Sequence, residues 1–441
     1  MKIRTAFATS VVAFLAATGT AQASTTLTIL MLEGLDKGAM EAVADAYMAA
    51  HPDVTVEIQA LPWGQFFQVS DLRLRSGDEN IDLIYTDAPV VASYAANGYI
   101  APFGAEIEAQ ARETLVASAG QAGTFEGELY ALPMNSSAQV LYYNIDLLTE
   151  AGIEPPAGLT ADGQASADDI QAMATEGRWT WERLVEAANA VTKTEDGRTQ
   201  TWGFAFEQFG ELYQLQPLGA SLGGAIISDD TMTAADYLDG DAWRQAANWW
   251  SGLFNVDEVS PRALGFGEAT QMFVNGQLAM FVGGTWNVPA IAESDINFGI
   301  APHPRFAEGA AVTPTGSWYL GVHAASPDAE AATDFATFAT LSAEGTGIWF
   351  DNLNQLPTTL ALLEAIDTDP AYDAFPGSVM RLSAWESRNT AQPRPVTVAF
   401  SQLQDAFRTA FVDIANGVDV DEALVTAVDA YDEAARRLNR Q

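Results

Sequence analysis

A short apolar run enclosed by glycines constrains the fold of this chain more than any other feature. Residues 279–282 lie within MFVNGQLAMFVGGTW, between Gly276 and the pair Gly283 and Gly284. This pattern predicts a helix end, a turn and then an internal strand of a sheet. Open α/β sheets bind ligands beyond the carboxyl ends of their strands, where Gly284 and Trp286 stand. We therefore predict an α/β fold, in which Trp286 is either a flat apolar face for a ligand or an ordinary core tryptophan.

The N-terminus predicts a cleavable secretory signal peptide over residues 1–23. Lys2 and Arg4 precede an apolar run over 6–17, and Ala21-Gln22-Ala23 forms a small-residue cleavage site. The apolar run is too short to span a membrane, and no second run approaches that length. The chain has no cysteine, so neither a disulfide nor a lipid-modified cysteine is expected. We expect a soluble periplasmic protein that is not lipid-anchored and does not insert into a membrane.

Length and charge narrow the classes further. With 441 residues, the chain exceeds the size at which one core stops growing, so two domains are expected. Asp and Glu number 58 against 20 Lys and Arg, a formal charge of −38. Such a field repels nucleic acid and anionic lipid, so neither is an expected partner. The acidic surface also leads to the hypothesis of a saline habitat, where salt shortens charge repulsion.

The chain opens with a predicted β-α-β unit. Strands are predicted over 26–32 and 54–60, with a helix over 37–50 between them. Trp63 directly follows the second strand and is a candidate cleft aromatic, with packing against its own helix as the alternative. Asp87 follows a predicted strand over 81–85, where it is expected to cap the next helix, to accept a hydrogen bond from a ligand hydroxyl, or to do both.

Several segments resemble, in order and spacing, the extracellular solute-binding proteins of ABC importers, specifically the sugar-binding family that includes maltose-binding protein. The resemblance covers nearly the whole mature chain. It rests on F-x-x-G-x-x-A-M-x-x-x-G-x-W at 273–286, AAHPDVTVEIQ at 49–59, GELYALP at 127–133, INFGIAPHP at 296–304 and GSWYLGV at 316–322.

The resemblance implies an α/β, two-lobed periplasmic-binding-protein fold, with a mixed sheet flanked by helices in each lobe and a ligand cleft between the lobes. The first lobe is expected to comprise 24–134 and 285–340, and the second 135–284 and 341–441, with crossings near 134, 284 and 340. The family runs directly from its P-P pair to T-W-x-E-L. Here a polar insert, 157–179, separates them, with one short helix predicted near 167–174. The position of this insert relative to the cleft stays open.

On this resemblance and the residue types at the predicted strand ends, we expect eleven ligand-binding positions. The first lobe and the crossings are expected to supply the tryptophans and small polar groups, and the second lobe is expected to supply a helix. Helix packing is the alternative for Tyr213 and Gln214, and a surface ion pair is the alternative for Arg388. The predicted set is Trp63, Asp87, Asn135, Ser136, Tyr213, Gln214, Gly284, Trp286, Gly316, Trp318 and Arg388.

The expected function is a periplasmic component of an ABC importer that binds a di- or oligosaccharide and delivers it to membrane permease subunits. We expect a monomer with no cofactor and no metal. Two alternatives stay open: a binding protein for a polyamine or a polyol phosphate, and a periplasmic glycoside-acting enzyme. A carboxylate pair for the enzyme is available among 58 acids, but only three histidines and no nucleophile, zinc or phosphate-loop motif are present.

Overall fold

Two mixed sheets organise the protein. The computed structural model describes residues 25–316, 318–353 and 355–438, so the predicted signal peptide lies outside the described residues. The two-lobed α/β fold predicted from the sequence is confirmed. No helix in these ranges combines the length and the apolar character that a membrane crossing requires.

The strands are short and the helices mostly cover their faces. In chain order, β1 to β16 are Thr25–Leu32, Val54–Leu61, Leu83–Asp87, Ile100–Ala101, Thr124–Phe125, Glu128–Leu129, Ala131–Pro133, Gln139–Asn144, Leu159–Thr160, Lys193–Glu195, Arg198–Phe206, Leu278–Gly284, Phe298–Pro302, Thr313–Thr315, Trp318–His323 and Ala391–Pro393. The helices α1 to α18 are Leu35–Ala50, Trp63–Ser76, Val91–Ala96, Ala105–Thr114, Ala117–Ala122, Ile145–Glu150, Ala167–Thr175, Trp181–Val191, Leu212–Ser221, Asp241–Asn255, Glu268–Val274, Val288–Ala292, Ala329–Leu341, Ala343–Leu353, Leu360–Thr368, Gly377–Asn389, Phe400–Ala415 and Val420–Leu438. Short 3₁₀ turns span Ala88–Val90, Thr285–Asn287 and Pro370–Asp373.

The first sheet has the strand order β2-β1-β3-β15-β4, with β7 also paired to β15. Strand β1 is central because its apolar run is buried on both faces, as parallel strands covered by helices require. It pairs in parallel with β2 and β3, and β15 then runs antiparallel to β3. The register sets Trp318 opposite Asp87 at one end of the sheet, so both side chains stand at the same edge.

The second sheet has the order β10-β11-β12-β8-β13-β9. Strand β12 carries the glycine-enclosed run, and all its residues are buried between β11 and β8. Helix α10 covers this lobe, and its Trp243 and Trp250 are fully buried, as the helical spacing of its aromatics predicts.

Strand pairing corrects the predicted lobe boundaries. The residues of β13 pair with β8 and β9, so they belong to the second sheet although 285–340 was assigned to the first lobe. The chain rejoins the first sheet at β15, after the short parallel pair β14 and β16. Helix α14 packs on α1 and α13, so the first lobe also continues beyond residue 340. An apolar strand pattern does not reveal which of two sheets the strand joins, and this is the origin of the error.

The 157–179 insert is part of the second lobe. Its short helix, α7, packs on α16 and β13. At its end, the guanidinium of Arg178 is buried and donates to Glu386, to the Ala174 carbonyl and to the His303 carbonyl, at 2.8, 2.9 and 2.6 Å. A fully bonded buried charge fixes this segment in one place. None of the residues of the insert lines the cavity described below.

Candidate functional site

A cavity of about 310 Å³ lies between the ends of the two sheets. Its lining comes from β1, β3 and β15 of the first sheet, from the region after β12, and from the crossing segments. The structure thus brings together residues that are more than 300 positions apart in the chain. Seven of the predicted residues line the cavity: Trp63, Asp87, Asn135, Tyr213, Trp286, Gly316 and Trp318.

Trp286 is held by a buried carboxylate. Its indole Nε1 donates to Oε1 of Glu207 at 2.9 Å, while Oε2 of Glu207 accepts from the Gly284 backbone N–H at 3.0 Å. Glu207 is fully buried, and this burial raises the pKa of its carboxyl, although the donors from Trp286, Asn287 and Gly284 oppose the rise. The two bonds fix both the strand end and the tryptophan, so the half-buried ring presents a preset surface to the cavity.

Gly284 makes this arrangement possible, although it does not itself line the cavity as predicted. A Cβ at Gly284 would lie 2.1–2.3 Å from three atoms of the Trp286 ring, which is closer than atoms can approach. The indole therefore lies directly against the glycine backbone. Gly284 acts through the position of Trp286.

Asp87 and Arg394 join the two lobes inside the cavity. Nη1 and Nη2 of Arg394 donate to Oδ2 and Oδ1 of Asp87 at 2.6 and 2.5 Å. Both side chains are largely buried, and the guanidinium also lies over the Tyr213 ring at 5.0 Å. The predicted cap at Asp87 is wrong, because its carboxylate accepts no backbone bond from the helix turn that follows. The Nε of Arg394 is buried and has no hydrogen-bond partner among the described residues.

A chain of hydrogen bonds lines the first-lobe side. The Tyr85 hydroxyl donates to Asp36 at 2.7 Å, and Nε2 of Gln355 donates to the same carboxylate at 3.3 Å. Asn135 donates to Gln355 and accepts from the Trp318 backbone N–H at 3.0 Å. Burial raises the pKa of Asp36, against the lowering effect of its two donors. This network fixes the amides and the carboxylate that face the cavity.

Ser137 makes the corresponding contacts at the crossing. Its hydroxyl lies 2.8 Å from the Tyr213 hydroxyl, and it bonds both the N–H and the carbonyl of Gly316, at 3.1 and 3.0 Å. Burial raises the pKa of Tyr213 well above its usual range, so its hydroxyl stays protonated. Ser136, which was predicted, does not line the cavity. Its side chain lies 3.2 Å from the Thr315 hydroxyl on the short β14 strand.

Gln214 and Arg388 are also corrections, because neither lines the cavity. Gln214 is fully buried, and its Nε2 donates to Gln139 and to the Val282 carbonyl, each at 2.9 Å. It therefore fixes α9 against the second sheet. Arg388 lies on α16 and pairs with Asp367, both of them exposed, so the surface ion pair is its observed state.

The three predicted cleft tryptophans have different surroundings. Trp318 stacks on Tyr85, with ring centroids 4.8 Å apart and planes 9° apart. Trp63 stacks on Phe266, with centroids 5.3 Å apart and planes 10° apart. Among the described residues, the Trp286 ring has one aromatic neighbour, Tyr213, which is tilted against it with ring centroids 6.3 Å apart. Trp286 is thus the tryptophan best placed to offer its face to a ligand.

The cavity lining is acidic. Four lining residues carry carboxylates: Glu33, Asp36, Asp87 and Glu211. Among the described lining residues, Arg394 is the one that carries a positive charge. Glu211 also pairs with Arg408, whose Nη1 donates to it at 3.3 Å. Burial raises the pKa of Glu211. Within the described ranges, no group of three or more His, Asp or Glu residues is arranged to hold a metal ion.

Besides the lining residues Glu33, Asp36 and Gln355, sequence reasoning missed four residues that shape the site: Ser137, Glu207, Phe266 and Arg394. Two of them carried a signal. Ser137 follows directly on the predicted Ser136, and Glu207 ends the buried run 202–206, where a carboxylate is unusual. Phe266 between two glycines and Arg394 between two prolines carry no local pattern that points to a cleft.

Comparison with known proteins places this geometry in a family. The family model for bacterial extracellular solute-binding proteins matches residues 33–346. The mannitol-binding protein of Pseudomonas aeruginosa is 25% identical over 74% of this chain and 71% of its own length. The galactooligosaccharide-binding protein of Bacillus subtilis is 22% identical over 89% of this chain and 85% of its own length.

Solved structures share the fold. The GacH receptor of Streptomyces glaucescens, solved in unliganded and acarbose-bound forms, aligns with a TM-score of 0.76 and 22% identity, over 94% of this chain and 99% of the receptor. The maltotriose-bound MalE domain of Bdellovibrio bacteriovorus also aligns with a TM-score of 0.76, at 18% identity, over 94% of this chain and all of that domain (100%). With a family model that spans most of its length and both sheets of the fold in place, this chain belongs to the bacterial extracellular solute-binding proteins.

Proposed function

We propose that this protein binds a sugar or a sugar alcohol in the cavity between its lobes and delivers it to an ABC importer. The observation that carries the proposal is the Trp286 ring, fixed by Glu207 at the wall of a cavity whose lining also presents hydroxyl, amide and carboxylate groups. A sugar ring has an apolar C–H face and a rim of hydroxyls, and these two surfaces match the aromatic and polar walls respectively.

The ligands of the relatives support the same class. Their names or titles give mannitol, galactooligosaccharide and maltotriose. These compounds share neutral polyhydroxyl chemistry and differ in length and in ring content. The relatives therefore support the ligand class, a neutral sugar or sugar alcohol, and the size and lining of the cavity must select the individual ligand.

Lobe closure is the proposed mechanism. A ligand that contacts Trp286 from the second lobe and the Asn135 and Asp36 side from the first stabilises the closed arrangement over the open one. Only such a differential affinity shifts a conformational equilibrium. The hydroxyls of the ligand lose water on closure, so each needs a protein partner, and Asn135, Gln355 and Glu33 supply donors and acceptors for them.

We further propose a periplasmic monomer that docks on permease subunits without entering the membrane and that carries no enzyme activity. The family is one of binding proteins, which supports both the transport role and the lack of catalysis. The expected signal peptide supports export. A polyol phosphate fits the cavity poorly, because Arg394 already holds Asp87 with both terminal nitrogens.

A thermal-shift screen of the mature protein tests the proposal. The panel comprises mannitol, hexoses, gluco- and galacto-oligosaccharides of two to six units, a polyamine and glycerol phosphate. A ligand that binds the folded state raises the melting temperature by mass action. We expect a shift from members of the sugar and polyol group. A shift from the polyamine alone would replace the proposal with a cation-binding role, for which the acidic lining is the supporting feature.

A further inference from the structure

Trp63 and Phe266 meet across the cleft. Trp63 is the first residue of α2 and belongs to the first lobe, whereas Phe266 precedes α11, which packs on β12 of the second sheet. Their rings are nearly parallel, with centroids 5.3 Å apart. A parallel pair of aromatic rings at this distance is a favourable contact, so the pair links the two lobes.

The pair lies at the rim of the cavity. Both residues line it, yet Trp63 is 41% exposed and Phe266 is 53% exposed. A residue that faces the cavity and the solvent at once stands at the boundary between them. The paired rings therefore cover part of the route between the cavity and the solvent.

The loop that carries Phe266 is built to present the ring. Gly265 and Gly267 flank it, and Gly267 has a positive φ of 81°, which glycine adopts without strain. The Gly265 N–H donates to the Glu268 carboxylate at 2.8 Å, which ties the loop to the start of α11. The exposed Phe266 ring held in this way packs its apolar face on Trp63 of the other lobe.

The neighbours of Trp63 leave little of its ring free to stack on a sugar. Besides the stack on Phe266, its ring meets Phe67 and Trp318 edge-on, with centroids 5.6 and 6.3 Å away. The ring is therefore engaged with aromatic neighbours on several sides. Among the described residues, Trp286 has one aromatic ring contact, the tilted one with Tyr213, and it remains the better face for a sugar.

The cavity behind the pair is small. Its volume of about 310 Å³ lies at the lower end of the range of about 300–1,000 Å³ found for pockets that enclose small molecules. A long oligosaccharide would have to pass out of the cavity at the rim, and there it would separate the paired rings.

We propose that Trp63 and Phe266 form an aromatic latch, which closes the cleft past the end of the ligand and limits that ligand to one or two sugar units or a sugar alcohol of similar size. The inference rests on the proposed function and deepens it, because it names the length class. It also assigns Trp63 to lobe closure in place of stacking on the sugar.

Affinities and dissociation rates of the mature protein and its variants test the latch. The probes are mannitol, the hexoses and the gluco- and galacto-oligosaccharides of two to six units, and the variants are Trp63→Ala, Phe266→Ala and the double variant. Leu360→Ala removes an apolar side chain that is 49% exposed and lies outside the cavity, so it is the matched control. Calorimetry gives the affinities, and stopped-flow fluorescence gives the dissociation rates.

For the wild type, we expect compounds of one or two units to bind about two- to tenfold more tightly than those of four to six units, the range that one aromatic pair supplies. Phe266→Ala should raise the dissociation rate of the short probes by the same factor and narrow the length preference. Trp63→Ala should act alike, and the double variant should add little, because both changes break one contact. The control should match the wild type.

Three outcomes would overturn the latch. A wild type that binds six units as tightly as two would remove the length limit while leaving sugar binding intact. Additive effects of the two single variants would show that each ring contacts the ligand independently. Failure of the wild type to bind any of the probes would remove the proposed function and the latch together.

Discussion

Arg394 holds both carboxylate oxygens of Asp87 at 2.5–2.6 Å, and this ion pair crosses between the lobes. Asp87 ends β3 of the first sheet, whereas Arg394 follows β16, whose partner β14 contacts α9 and α16 of the second lobe. The side chains are 14% and 7% exposed. A charge pair so far out of water is sensitive to the loss of either member, because the other is left buried and unpaired.

Asp87→Ala should therefore lower the free energy of unfolding by about 3–5 kcal/mol, the usual effect of breaking a buried pair. Chemical denaturation followed by circular dichroism measures the change. Asp367→Ala is the matched control, because Asp367 also receives both terminal nitrogens of an arginine, Arg388, but at the exposed surface. That variant should lose no more than about 1 kcal/mol. Equal losses in the two variants would contradict the importance of burial for the Asp87 pair.

Trp286→Ala should weaken the binding free energy by about 1–3 kcal/mol, because the apolar face of the ligand loses the ring on which it stacks. The ligand for this test is the sugar or polyol that raises the melting temperature in the screen. Glu207→Gln should weaken binding as well, since a glutamine offers one acceptor where Glu207 receives both the Trp286 and the Gly284 N–H groups. Titration calorimetry measures both.

Trp179→Ala is the control for the tryptophan substitution. Trp179 is half-buried like Trp286, but it lies outside the cavity and contacts the Arg183 guanidinium. Its loss should leave the affinity unchanged. If Trp286→Ala bound the sugar as tightly as this control does, Trp286 would be a packing residue.

Gly284→Ala should weaken binding as Trp286→Ala does, although Trp286 and its neighbour Tyr213 are both still present. The added methyl group would overlap the Trp286 ring at 2.1–2.3 Å, so the indole must move. The backbone itself is not strained, because Gly284 has a φ of −76° that alanine adopts readily. Gly347→Ala is the control, since nothing lies within 4 Å of a Cβ there. Undiminished affinity in Gly284→Ala would show that the ring position is not critical.

His303 should make the folded state sensitive to acid. Burial, reinforced by the positive charge of Arg178, lowers the pKa of His303 to about 3. Between pH 6.5 and about 3 the unfolded chain therefore binds a proton that the folded state does not, and stability falls as the pH falls. The slope from this one group is about 1.4 kcal/mol per pH unit.

His303→Gln should remove that contribution, so the difference in unfolding free energy between wild type and variant should shrink as the pH is lowered from 6.5 toward 4. Denaturant titrations at several pH values measure it, and the comparison cancels the background from the many carboxylates. His51→Gln, at an exposed helix end, serves as the control. A difference that stays constant with pH would show that His303 is protonated equally in both states.

The elements with strong local patterns were predictable. The buried run of β12 and its glycines predicted a strand with Trp286 at its end, and the structure has this strand over Leu278–Gly284. The helix inside the 157–179 insert was expected near 167–174 and is Ala167–Thr175. Here the hydrophobic period and the capping serine are local properties of the sequence, so no distant contact was needed to recognise them.

Lobe membership and side-chain partners were not predictable in the same way. The pattern of β13 marks a buried strand equally well in either sheet, and only its pairing with β8 and β9 decides. Arg388 and Arg394 lie only six residues apart in the chain, yet Arg388 pairs with the exposed Asp367 and Arg394 with the buried Asp87. The partner of an arginine depends on which surfaces the fold brings together, and the position of the arginine in the sequence does not indicate that partner.

Motif order, strand patterns and composition were enough to identify the class of this protein, because they are properties of the linear chain and do not depend on long-range geometry. The different contacts of the three cleft tryptophans could be recognised only from the tertiary structure. Trp63, Trp286 and Trp318 look equivalent in the sequence, because each lies near a strand end and within two residues of a glycine. In the fold, Trp318 packs on Tyr85, Trp63 meets Phe266 across the cleft, and Trp286 is fixed by Glu207. These partners lie 79 to 233 residues away in sequence, so their contacts exist only once both sheets have formed.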